Sequence, residues 1–341
     1  MTEPITILAI ESSCDDTSAA VLKNQTVLSN VIATQKVHEE FGGVVPELAS
    51  RAHQQNIIPV VNQAIQDAGI DKSDIDAVAY TKGPGLLGSL LVGSSFAKGI
   101  SAGLNVPLIE VNHMQAHILA HQIDGNNAEN RKPKFPFLCL TVSGGHTQIV
   151  RVDSPLQMEI IGKTLDDAAG EAFDKVAKII GLSYPGGPLI DKYSKTGDNI
   201  KYSFPKSKVD NLNFSFSGLK TSFLYFIRDN IKLDKNFIEE NLNDICASIQ
   251  HTIISTLLDK LQIAIQRTNI TEIAIAGGVS ANSKFREDLI NLGKKNNWNV
   301  FIPKFEYCTD NAAMIGIAGM YKYKENQFAS LSSKPEARLP F

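Results

Sequence analysis

The sequence predicts an α/β fold of two related lobes, each a mixed β-sheet flanked by helices, arranged around a central cleft. Three observations predict it. The N-terminal part reads as three successive strands followed by helix, strand, helix, strand and helix. After a polar loop the strand, turn, strand, strand order starts again, and Ser-containing turns, ESSCDDT and SGGHT, stand at matching places in the two runs. A length of 341 residues suits two such lobes better than one core.

Taken in order, ITILAIESS (5–13) is a β-branched, continuously apolar run and reads as a buried strand. TSAAVLKN and TVLSNVIAT follow at hairpin spacing. GGVVPELASRAHQQNIIPVVNQAIQDAG has apolar residues at helical spacing and reads as a long helix or helix pair. DAVAYTKGPG (76–85) is a strand ending in a Gly-Pro-Gly turn before a helix, and VPLIEVNH (106–113) is a strand that MQAHILAHQ continues as a helix. GNNAENRKPK (125–134) is loop-like. FPFLCLTVSGG, HTQIVRVD and MEIIGKT then repeat the opening. A helix over 164–182 is expected from its Thr-x-x-Asp start and from Gly181 at its end. YPGGP (184–188) is a turn and 192–213 a polar, partly basic segment leading into FSFSGLKTSFLYFIRDN. Residues 237–267 are helical, 271–282 a strand with a glycine turn, WNVFIP a short strand, and 308–323 a closing helix entered through Asp310. The expected division is an N-terminal lobe at 1–134, completed by the C-terminal helix 309–325, a C-terminal lobe at 135–308, and an irregular tail at 326–341. This layout resembles that of the actin-like ATPase superfamily, which includes sugar kinases and Hsp70-type chaperones.

The composition, 43% apolar and 20% charged, is that of an ordinary folded protein. A net charge of −3 lacks the basic surplus of a chain that holds nucleic acid unaided, so a local patch or a partner would have to supply the positive field. Cys14, Cys139, Cys246 and Cys308 form no CxxC pair, which argues against a zinc ribbon or disulfide scaffold and fits a reducing compartment. MTEPITILAIESS lacks a secretory pattern. The most apolar long stretch, 83–104, is interrupted by Lys98 and diluted by glycine and serine, so a packed helix is expected there and not a membrane span. A cytoplasmic protein is the expectation.

His113 and His117 in NHMQAH lie four apart on an expected helix, so both imidazoles leave one face and can reach one cation. Two hydrogen-bonded core histidines would show the same spacing; a third ligand decides between the readings. Asp310 is the candidate, although a helix N-cap is its ordinary role. His121 extends the face and reads as structural. Zincin proteolysis needs a Glu directly after the first His, and Met114 stands there. Three glycine turns, GPGLLG, SGGHT and GGVSAN, end strands; any one alone reads as an ordinary tight turn and none matches a P-loop, but together they fit phosphate and nucleoside grips made of backbone N–H groups. YPGGP adds a fourth beside Asp191. Acidic residues gather at the same places: Glu11, Asp15 and Asp16, then Asp166, Asp167, Glu171 and Asp174, the last including a helix face that could simply be solvated.

AIESSCDDTSAA, GGVVPELASRAH, YTKGPGLLGSLLVG, VNHMQAHILAH, TVSGGHTQIV, DDAAGEAFDKVAK, YPGGPLIDK, FSFSGLKTS, AGGVSAN and CTDNAAMIG follow one another from near the N-terminus to the closing helix. In this order they resemble the universal tRNA threonylcarbamoyladenosine transferase family, its bacterial branch in particular, formerly called O-sialoglycoprotein endopeptidase. The tail is less family-like. The resemblance implies an actin-like ATPase fold that binds threonylcarbamoyl-AMP, with ATP or AMP as alternative occupants, and passes the threonylcarbamoyl group to N6 of adenosine 37 in tRNAs reading codons that begin with A. It implies one divalent metal ion per chain, iron with zinc as the alternative, on His113, His117 and Asp310. It places the nucleotide on Thr141, Val142, Ser143, Gly144 and Gly145, with Asp174, Gly187, Asp191 and Asn282. Expected partners are tRNA, an inactive shorter paralogue forming a heterodimer, a small P-loop ATPase and a threonylcarbamoyl-AMP synthase; no membrane is expected. An exocyclic adenine amine is a poor nucleophile, so a proton acceptor is expected, and Asp15 is the candidate, although a carboxylate there could instead cap a turn or hold a metal-bound water. The rivals are a nucleotide-hydrolysing binding module, indifferent to the histidines, and a metallopeptidase.

Overall fold

The computed structural model describes residues 3–126 and 131–341, so the expected loop at 125–134 lies partly outside the described residues. The chain forms two compact units. The first comprises Met1–Pro133, Ser154–Met158 and Pro303–Phe341, the second Lys134–Asp153 and Glu159–Ile302. Ser154–Met158 and 303–308 thus join the first unit and not the expected C-terminal lobe, and the tail is part of the first unit.

In the first unit, β1 (Thr6–Glu11), β2 (Thr17–Lys23) and β3 (Thr26–Ala33) are followed by α1 (Pro46–Ala68), β4 (Ala77–Gly83), α2 (Leu87–Leu104), β5 (Leu108–Asn112) and α3 (His113–Leu119). The strand order is β3-β2-β1-β4-β5. The β1–β2 and β2–β3 pairs are antiparallel, and β4 and β5 are added in parallel. β1 is buried on both faces, which is why it reads as a continuous apolar run and not an alternating one. Ile7 and Ala9 point to one core with the C-terminal helix, Leu8 and Ile10 to another with α1. The helix-or-pair over 42–69 resolves as one helix that continues past Pro59 and ends at left-handed Gly69. α2 is, among the described residues, the one helix long and apolar enough to cross a membrane. Its buried face is built largely of Ser89, Gly93, Ser94, Ala97 and Ser101, and it packs against α1 and β4.

The second unit repeats the plan. It contains β6 (Phe137–Val142), β7 (Thr147–Ser154), β8 (Gln157–Lys163), α4 (Ala169–Ile179), α5 (Gly186–Ser194), α6 (Ser217–Leu233), α7 (Phe237–Thr268), β9 (Glu272–Ala276), α8 (Ser283–Asn296) and β10 (Asn299–Phe301). Its strand order, β8-β7-β6-β9-β10, is that of the first sheet with each strand number advanced by five. The internal repeat, faint in sequence, is therefore explicit in topology. The helix expected from residue 164 starts later, at Ala169, because the Thr164 hydroxyl donates to the Asp167 carbonyl and closes a turn of its own. Without an N-cap side chain on α4, the Ala169 N–H is instead received by the Thr147 hydroxyl.

The closing helix, α9 (Ala312–Lys324), returns to the first unit and lies on β1 and β2. A Cβ on Gly316 would sit 2.2 Å from the Leu22 side chain, so the close helix–strand approach depends on glycine. The tail has no long element, yet it is docked. Ala329 N–H donates to Leu108 O, Glu336 N–H to Lys82 O, and Asn112 Nδ2 to Pro340 O.

Candidate functional site

In the first unit, Asn112 ends β5 and caps α3, its side chain accepting the N–H groups of Met114 and Gln115. The cap starts the helix at His113, so His113 and His117 stand one turn apart, ring centroids 4.7 Å apart and nearly perpendicular. Asp310 arrives from the other end of the chain. Its Oδ1 is 3.4 Å from His113 Nε2 and 3.1 Å from His117 Nε2. Asp310 is not the helix cap: Asn311 takes that role, accepting the Met314 N–H. The three ligand atoms lie within 4.8 Å of one another. Donors ~2.0–2.1 Å from a tetrahedral ion stand roughly 3.3 Å apart, and the two Asp310–imidazole distances match that spacing.

Burial opposes charge on Asp310, but His113 and then His117 hold its carboxyl well below the usual range. Burial likewise disfavours the His113 cation, and Asp310 and Glu11 outweigh it, raising the imidazole well above its ordinary value. A divalent cation placed among them would replace that proton.

Around this cluster the turn after β1 is tied down. The Cys14 carbonyl accepts from His53 Nε2 and from the Ser89 hydroxyl, and His53 Nδ1 meets Thr17 Oγ1 at 2.8 Å. Asp15 is partly buried in this turn. The neighbouring Asp16 carboxyl is pushed up to about 7, by burial first and then by the charges of Asp15 and Asp310. Glu11, singled out in the sequence only as one of several acids, is wholly buried and touches His113. The two are 102 residues apart, a pairing that no local spacing signals.

The remaining expected site residues lie in the second unit. Thr141 and Val142 end β6, and Ser143 to His146 form a tight turn closed by Ser143 N–H to His146 O. Gly144 and Gly145 are exposed, with open space where a Cβ would stand. Parallel pairing of Thr141 with Ala276 sets the second glycine turn beside the first. Gly277 has φ +83°, and a Cβ there would meet Val142 O at 2.5 Å, so no other residue fits that approach. Asn282 caps α8 through Phe285 N–H and donates to Gln250. Asp191 receives the N–H and hydroxyl of Ser283. Asp174 receives the N–H groups of Gly186 and Gly187 at the start of α5, while burial raises its own carboxyl above the ordinary value.

The expected acidic face divides in two. Asp167 and Glu171 share Lys175, an ion-paired surface, whereas Asp174 turns inward to α5.

Solved structures identify the class: the chain has an actin-like ATPase fold. A nucleotide-bound full-length HypF matches with a TM-score of 0.60 at 15% identity, over 95% of this chain and 47% of that one. The activator of a 2-hydroxyisocaproyl-CoA dehydratase from Clostridium difficile, with bound ADPNP, matches with a TM-score of 0.51 at 12% identity, over 95% and 97%. Within that class the chain belongs to the tRNA N6-adenosine threonylcarbamoyltransferase family, whose sequence model matches residues 26–317. Relatives of that name are 64% identical in Christiangramia forsetii and 56% identical in Porphyromonas gingivalis, each over 99% of both chains.

Proposed function

We propose that the chain transfers a threonylcarbamoyl group from threonylcarbamoyl-AMP to N6 of adenosine 37 in tRNAs reading codons that begin with A, releasing AMP. The observation that carries this reading is the 64% identity, over 99% of both chains, to a relative named for that transfer. The meeting of His113, His117 and Asp310 gives it chemistry. Two imidazoles and a carboxylate suit iron or zinc, which would supply Lewis-acid polarisation and a fixed point for the threonine moiety.

The chain's own groups do the rest. The Ser143–Gly145 turn and the Gly277–Asn282 turn would offer N–H donors to the phosphate and adenosine of the leaving AMP. Asp174, Asp191 and Asn282 would act by holding the backbone of Gly186, Gly187, Ser283 and Phe285 in place for the nucleotide. Asp15 would take the N6 proton as the amine attacks. Partners would be tRNA, an inactive paralogue, a small P-loop ATPase and the adenylate-forming enzyme, acting together in the cytoplasm. A partner surface would also offset the chain's net charge of −3.

The test is reconstitution. Purified chain, synthetic threonylcarbamoyl-adenylate and unmodified tRNA are combined with and without the partners, and the nucleosides are weighed by mass spectrometry. The modified adenosine should form, and should vanish with His113→Ala or His117→Ala. Asp15→Ala should keep fold and metal while losing about 10²–10⁴-fold in rate. Unchanged turnover in that variant removes Asp15 from the chemistry.

A further inference from the structure

Glu11 ends β1 with its side chain wholly buried, and three groups converge on it. The Ser13 N–H reaches Oε1 at 2.5 Å, the Thr81 hydroxyl reaches Oε2 at 2.5 Å, and His113 Nδ1 lies 3.1 Å from Oε2. An ionised carboxylate has only lone pairs, so every neighbour at hydrogen-bond distance must donate to it. The proton of a neutral His113 is thereby assigned to Nδ1. Ser13 Oγ, 3.2 Å from the same nitrogen, can share that donor. Nε2 is left with its lone pair on the side of Asp310, 3.4 Å away. The second histidine has no such anchor among the described residues, where His117 Nδ1 is buried without a hydrogen-bond partner.

We propose that Glu11 is a positioning residue of the metal site, fixing the Nδ1–H tautomer and the ring rotation of His113 so that Nε2 faces a zinc or ferrous ion. A carboxylate behind a metal-bound imidazole orients the ring and raises its basicity. Here Glu11 is itself held by Ser13 and Thr81, so its direction is set before any ion binds. The inference rests on the metal reading of His113, His117 and Asp310.

Glu11→Gln is the sharp variant because both amide orientations fail. With its oxygen kept toward the Ser13 N–H, the NH2 group faces His113 and favours the tautomer that puts a proton on Nε2. With the oxygen toward His113, the NH2 group opposes the Ser13 N–H. Zinc affinity of the full chain, measured by competition with a chromogenic chelator, should fall roughly 10–100-fold in E11Q. Thr81→Val, which leaves the carboxylate with one donor fewer, should lose less.

A second readout needs no variant. In zinc-loaded wild-type protein labelled with 15N at histidine, His113 should show Nδ1–H and a zinc-bound Nε2. Finding the proton on Nε2, or wild-type zinc affinity in folded E11Q, overturns the inference while leaving the metal site standing. A wild-type chain that takes up no zinc or ferrous ion overturns the metal reading and this inference with it.

Discussion

Asn311 caps α9 and so releases Asp310, the residue before it, to face His113 and His117. Asn311→Ala should cost about 1 kcal/mol in thermal or urea unfolding, the ordinary price of a lost N-cap. It should also weaken zinc binding, because Asp310 is then the nearest side chain able to take over the cap; unaltered zinc affinity would show that the two roles are independent. A second prediction concerns Asp16, lifted to about 7 by burial and by the charges of Asp15 and Asp310. An unfolded carboxyl titrates near ~3.9, so between about pH 4 and 7 the folded chain keeps a proton that the unfolded chain releases. The stabilisation is complete below pH 4 and is lost as the pH rises through 7. Asp16→Asn should flatten this dependence in metal-free protein, read as urea midpoints at pH 5 and pH 8; an undiminished pH slope would refute it. At this scale the two histidines were legible from their four-residue spacing. Asp310 could be named but not placed, because it lies 193 residues beyond His117. The partnership of Glu11 with His113 was not legible at all.

Among the elements, those with strong periodicity or a buried apolar run were legible, and the losses came where a side chain competed with the backbone. Thr164 looked like a helix cap and instead closes its own turn, delaying α4 to Ala169. The tail carries no periodic signal because its N–H and C=O groups pair singly with Leu108, Lys82 and Asn112. The turn at Gly277 yields an element-scale prediction. Gly277→Ala forces a positive φ and a 2.5 Å approach to Val142 O, a strain of about 1–3 kcal/mol before relaxation. The turn should shift and AMP affinity, measured by calorimetry, should fall, while zinc affinity in the first unit stays at the wild-type value. Loss of both together would mean general unfolding and not a local change.

On the scale of the whole molecule, one strand order is used twice. The first unit gathers two imidazoles and a carboxylate that could hold a cation, and the second carries the two glycine turns for which we propose the nucleotide. The units differ also in how the chain builds them. Apart from Ser154–Met158, the second is one stretch from residue 134 to 302, whereas the first is closed only by Pro303–Phe341. One of its two cores includes Tyr307, Ala312, Met314, Ile315, Ile317 and Met320. During synthesis, 193 residues separate His117 from Asp310, an interval of roughly 10–40 s at 5–20 residues per second. Throughout it the face of the nascent sheet that α9 will cover is only partly packed, by Ala116, Leu119, Ala120 and Ile123, and the ion site lacks its carboxylate. A ribosome stalled between Ile302 and Asp310 would therefore hold a chain whose second unit is fully translated but which cannot complete its metal ligand set.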